Sequence, residues 1–209
     1  MSGVSAFLST ASRDNKRRIQ DYYFAEAAGW LGEEKTNVVD LPSIYLVRSL
    51  FRITQLGINV EHYMAFETID AIAKKIRVSR KKLKQLDILD EAEIKVTIHN
   101  QDVLQFLIDR PRATVCKGEV GLFNFDFCDA LTPKYRAFML MDGVAKYMGK
   151  KAAVMTTFSA RSHNNSERLQ LATTEYAKVL GLNCKFTHTS KYRDTAPMKT
   201  NLCLFERDN

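Results

Sequence analysis

Paired cysteines are missing from this chain. The four it has, Cys116, Cys128, Cys184 and Cys203, are scattered with no C-x-x-C, so neither a zinc site nor a disulfide framework is indicated. A reducing, cytoplasmic setting is expected. The four histidines, His62, His99, His163 and His188, are far apart and lack metal-ligand spacing, so no metal is expected. No apolar run is long enough to cross a bilayer, and residues 1–18 lack the apolar core of a signal peptide. A G-x-S-x-G elbow is absent, which argues against a hydrolase of that kind. The phosphate-cradling G-x-x-x-x-G-K-[ST] loop is absent too, and no internal repeat or low-complexity tract is present.

What is there reads as one compact domain. Hydrophobic residues make up 45% and charged residues 26% of 209 positions, ordinary values for a folded globular chain. Residues 1–36 read as an N-terminal extension and helix: 1–12 are small, polar and loose, and Ile19, Tyr22, Tyr23, Ala27 and Trp30 recur at helical spacing. Residues 37–209 read as an α/β domain. Strands near Val39, Met64, Val96, Phe125 and Val154 alternate with helices over 44–56, 68–86, 103–108 and 133–148. A helix from Ser166 to Leu180 precedes two closing strands, 184–190 and 201–206, joined by a turn containing Pro197. Strands separated by helices five times over imply parallel crossovers and a doubly wound sheet. The short final connector instead implies that the last strand runs antiparallel to its predecessor.

The net charge of +7 is concentrated. KKIRVSRKKLK holds Lys74, Lys75, Arg77, Arg80, Lys81, Lys82 and Lys84 with no acid, and without those seven charges the rest is neutral. Arg13, Lys16, Arg17 and Arg18 form a smaller cluster. Such patches attract phosphate backbones by releasing counterions, so nucleic acid (RNA or DNA) is the expected partner. A solvated helix face is the plainer alternative.

The run Val120–Asp129, VGLFNFDFCD, is a buried strand interrupted by Asn124 and Asp126. A carboxylate inside such a run is costly to bury unless it is paired or reaches a site. Open α/β sheets bind ligands at the carboxyl ends of their strands. Three more acids close the preceding strands: Asp40, Glu67 in HYMAFET, and Asp102 in HNQDVLQFL. Singly, each has a structural reading, Asp40 and Asp102 as helix caps and Glu67 as the start of the basic helix. Arg161, in the polar segment after the fifth strand, is a candidate phosphate contact.

This order of elements, with acids at four successive strand ends, resembles the class I S-adenosylmethionine-dependent methyltransferases from about Asn37 to Glu206. The resemblance implies a Rossmann-like, mostly parallel seven-stranded sheet with one late antiparallel strand, and S-adenosylmethionine as cofactor. It implies that Asp40 and Pro42 belong to the cofactor loop and that Glu67 holds the ribose hydroxyls. Asp102 would contact the adenine amino group, and Val103 would pack on that base. Asn124 and Asp126 would face the methyl group and the acceptor. The family's first loop carries glycines that let backbone approach the ligand. Here Asp40-Leu41-Pro42-Ser43-Ile44-Tyr45-Leu46 has none. Two readings remain open: a methyltransferase acting on nucleic acid with an altered cofactor pose, and an inactive methyltransferase-like module that binds nucleic acid or protein.

Overall fold

The computed structural model describes residues 10–42, 46–85, 94–110, 118–127, 133–159, 173–193 and 197–208. In chain order these form α1 (Thr10–Leu31), β1 (Thr36–Asp40), α2 (Leu46–Gln55), β2 (Val60–Phe66), α3 (Asp70–Gln85), β3 (Lys95–His99) and α4 (Val103–Asp109). They continue with β4 (Val120–Asp126), α5 (Pro133–Tyr147), β5 (Lys151–Ser159), helical residues 173–179 as α6, β6 (Leu182–Arg193) and β7 (Pro197–Arg207). All seven strands join one sheet in the order β3-β2-β1-β4-β5-β7-β6.

The first five strands are mutually parallel, with Val39 opposite Met64, Tyr63 opposite Val96, Val39 opposite Phe123 and Phe123 opposite Val154. β7 inserts antiparallel between β5 and β6. The central strands are buried on both faces, so they read as continuous apolar runs, as parallel strands covered by helices must. Side-chain alternation divides the core in two. Val38, Tyr63, Ala65, Val96 and Leu122 pack with Tyr23 and Phe24 of α1, Leu46, Leu50 and Ile53 of α2, and Ile76 of α3. Val39, Met64, Phe123, Phe125 and Val154 pack with Leu104 and Leu107 of α4, Leu140 and Val144 of α5, and Ala177 of α6.

Several boundaries differ from expectation. α1 begins at Thr10, so residues 10–12 are helical rather than loose. Pro197 is no turn residue: it is the first residue of β7 and pairs with Arg193, a place where proline's missing donor costs no ladder bond. β6 extends well beyond 184–190. It is an edge strand rich in Lys, Thr and Ser, and its polar composition hides it from an apolar pattern search. Among the described residues, no helix is long and apolar enough to cross a membrane.

Candidate functional site at the carboxyl edge of the sheet

Asp40, Asn124 and Asp126 sit at the carboxyl ends of β1 and β4, and alternation turns all three toward the α1–α3 face. Asp40 and Asn124 are register partners. The Asp40 carboxylate is fully buried and accepts three side-chain hydrogen bonds. These come from Asn124 Nδ2 at 2.8 Å, from Ser49 Oγ of α2 at 2.5 Å, and from the Tyr63 hydroxyl of β2. Burial pushes its pKa up to about 6, opposed by those donors. Burial and the neighbouring Asp40 charge hold the Tyr63 hydroxyl well above its ordinary value, so it remains a donor. Asp40 therefore ties β1, β2, β4 and α2 together at the end of β1. Both of its oxygens are engaged inside the protein, and Asn124, 6% exposed, is engaged with it.

Asp126 has a different neighbour. Lys16 Nζ, from α1, lies 2.8 Å from its Oδ2, with the two side chains 24% and 16% exposed. The pairing answers the cost of placing a carboxylate at the end of an apolar strand. It also brings the N-terminal helix over the edge where the site was expected.

Glu67 and Asp102 close the neighbouring strands β2 and β3. Glu67 is half-buried, and its Oε1 accepts the Ile69 amide at 2.9 Å. Asp102 is exposed and is the N-cap of α4, with Oδ1 accepting the Gln105 amide at 2.9 Å. The capping role is thus real for Asp102, and it uses one of the two carboxylate oxygens. Val103 is 2% exposed within the α4–α5 side of the core, and Pro42 is buried. Beside them, His99 stacks on Phe66 with ring centroids 4.7 Å apart and also meets Phe106 at 4.7 Å.

Lys74, Lys75 and Arg77 are exposed on α3, with Lys74 ion-paired to Asp70 at 2.7 Å. Arg80, Lys81, Lys82 and Lys84 lie on the same helix, but their side chains fall outside the described set. Arg161, Cys116, Cys128 and Asp129 also lie outside the described residues.

Two groupings escaped sequence reasoning because they join distant positions. One is the Lys16–Asp126 pair, 110 residues apart. The other links His62 Nε2 to Thr97 Oγ1 at 2.9 Å and Thr97 Oγ1 to His99 Nε2 at 3.3 Å. Burial, then Lys95 and His99, lower the His62 pKa to about 4. Among the described residues no set of His, Cys, Asp and Glu could hold a metal ion. A cavity of about 340 Å³ lined by Lys35, Glu61, Glu119 and Lys150 opens at the opposite, amino edge and includes none of the residues above.

No family model matches the chain, and no curated protein matches it in sequence. Solved structures do match in fold. M. jannaschii TYW2 in complex with AdoMet is 13% identical with a TM-score of 0.59, over 98% of this chain and 80% of that one. A Pyrococcus horikoshii protein provisionally described as an RNA methyltransferase is 11% identical with a TM-score of 0.55, over 92% and 85%. Magnesium protoporphyrin IX methyltransferase from Synechocystis PCC 6803, with bound SAH, is 11% identical with a TM-score of 0.60, over 94% and 85%. The chain has the Rossmann-like fold of the class I methyltransferases.

Proposed function

We propose that this protein is an S-adenosylmethionine-dependent methyltransferase acting on nucleic acid. The observation that carries the cofactor half is the carboxylate pair at the ends of neighbouring parallel strands. Glu67 and Asp102 each spend one oxygen on a backbone amide and are at least partly exposed. An ionised carboxylate only accepts hydrogen bonds, which suits Glu67 to a ribose diol and Asp102 to an adenine amino group. The adenosine half of the cofactor therefore fits this edge. Asp40 does not serve as a direct ligand in this reading. It holds Ser49, Tyr63 and Asn124 in place at the end of β1, and Val103 supports the adenine side from the core.

S-adenosylmethionine, when bound, supplies an electrophilic methyl group. The protein's part is then mainly to place an acceptor amine or hydroxyl in line with it. Asp126, held by Lys16, is the group suited to orient that acceptor, while Asn124 acts through Asp40. The nucleic-acid half rests on the basic residues of α3, and the provisional RNA methyltransferase among the fold neighbours is in keeping with it.

A second reading, a binding module without turnover, is favoured by the glycine-less segment from Asp40 to Leu46 and by the saturation of Asp40. Calorimetric titration with S-adenosylmethionine and S-adenosylhomocysteine separates the two. The enzyme reading expects micromolar binding, weakened by about 1.5–3 kcal/mol in Glu67→Ala and by less in Asp102→Ala, where water can replace the contact. Absence of binding at millimolar ligand makes the module the correct reading.

A further inference from the structure

The positive charge of this chain belongs to one layer. α1, α2 and α3 pack side by side on one face of the sheet, and together they carry thirteen basic residues against four acids, a net of +9. The whole chain carries +7, so everything outside these three helices is slightly acidic. The layer is also tied internally. Arg52 of α2 donates to Asp21 of α1 at 2.5 Å, to Gln20 at 3.0 Å and to the Arg17 carbonyl at 2.7 Å.

All three helices begin at the carboxyl edge of the sheet. α2 and α3 follow β1 and β2 directly, and α1 has Lys16 at the end of β4 while Trp30 bonds the Phe205 carbonyl and covers Lys151 at the start of β5. Arg17, Arg18 and Arg48 are exposed and stand in the halves of α1 and α2 nearest that edge. One turn on from Arg48, Phe51 is 44% exposed and contributes to neither core cluster. Residues three apart are neighbours on a helix surface, so Phe51 and Arg48 share one exposed side of α2. An exposed aromatic ring among cations has the chemistry of a single-strand platform. The cations hold the sugar-phosphate backbone, and the ring stacks on an unpaired base. A duplex has no open base face to offer it.

We infer that the outer face of the α1–α2–α3 layer is a docking surface for single-stranded nucleic acid, with Arg17, Arg18 and Arg48 gripping phosphates and Phe51 stacking on a base. It rests on the nucleic-acid part of the proposed function and specifies its strandedness and route: the strand crosses α1 and α2 to reach Asp126.

Fluorescence anisotropy with a labelled single-stranded RNA 20-mer and the matching duplex tests it on the full chain. The single strand is expected to bind more tightly than the duplex. Phe51→Ala should weaken single-strand binding roughly tenfold and leave duplex binding and the melting midpoint unchanged, with Phe51→Tyr restoring affinity. Arg48→Ser should lower the slope of log affinity against log salt by about 0.7. Equal binding of the duplex with a silent Phe51→Ala overturns the platform while nucleic-acid binding itself stands. No binding of either probe overturns both, even if S-adenosylmethionine binds normally. Polyglutamate competing as well as the single strand overturns the platform in favour of an acidic protein partner.

Discussion

Two buried titratable residues, Asp40 and His62, give this molecule opposed responses to acid. Asp40 has a folded pKa raised to about 6 by burial, above its ordinary 3.8. The folded state then binds its proton more tightly, and its contribution to stability is complete below 3.8 and lost as pH rises through about 6. His62 is the reverse. Its folded pKa is depressed from 6.5 to about 4 by burial, so its contribution is present above 6.5 and lost as pH falls through about 4. Between pH 4 and 6 the two nearly cancel in slope. Urea unfolding midpoints across that range should show it. Relative to the native sequence, Asp40→Asn should gain stability as pH rises, and His62→Gln should gain it as pH falls. Parallel trends in the two variants would mean that one of these groups is not buried as described. The network around Asp40 was invisible in the sequence for a plain reason. Its donors Ser49, Tyr63 and Asn124 come from α2, β2 and β4, and only strand order brings them together. Asp40 itself was legible, because an acid ending an apolar strand announces an unusual environment. Its partners carry no such mark.

Elements were more legible than partners. The alternation of apolar strand and amphipathic helix marks β1 to β5 within a few residues, because central parallel strands are apolar on both faces. The polar edge strand β6 is legible only in part, since most of its side chains are polar and only Leu182 and Tyr192 are buried. Helix contacts escaped the sequence too, and the α4–α5 contact shows why. Gly143 lies inside α5, where glycine is unfavourable by about 1 kcal/mol relative to alanine on helix propensity alone. A Cβ built there would stand 3.0 Å from Leu107 Cβ and 3.3 Å from its Cδ1. Close approach of the helices at a fully buried leucine thus explains the glycine. Gly143→Ala should destabilise the protein by about 1–3 kcal/mol despite the propensity gain, as overpacking does. In the background of Leu107→Ala, the same substitution should cost less, since the contact with Cδ1 is gone while the one with Cβ remains. Thermal unfolding of the four variants in the cycle measures that relief, and simple additivity would remove the packing argument.

For the whole molecule, the decisive question is whether α1 is an appendage or part of the fold. Residues 1–36 read in the sequence as an N-terminal extension and helix preceding an α/β domain. Its contacts are those of a core element. Tyr23, Phe24 and Ala27 are buried against β-strand residues of the sheet. The Tyr23 hydroxyl donates to the Thr200 carbonyl at 3.0 Å and contacts His188 Nδ1 at 3.0 Å, reaching across β7 to β6. Trp30 reaches the Phe205 carbonyl, and Lys16 pairs with Asp126 at the other end of the helix. Burying an aromatic side chain of this size is worth about 1.5–3 kcal/mol, and whole domains are stable by only about 5–15 kcal/mol. Removing α1 would strip two such side chains from the core and expose the apolar β5 and β7 surface that they cover. A chain beginning at Glu34 should therefore lose its cooperative thermal transition and expose hydrophobic surface, as read by calorimetry and by dye binding. Tyr23→Phe in the full chain, which keeps the ring and deletes only the hydroxyl, should lower stability by about 1 kcal/mol and leave the transition cooperative. If the shortened chain melts cooperatively near the temperature of the full one, α1 is a detachable helix and Lys16 only a visitor at Asp126. If it does not, the same helix that completes the core also brings the protein's basic layer to the edge of the proposed site, and neither can be removed without the other.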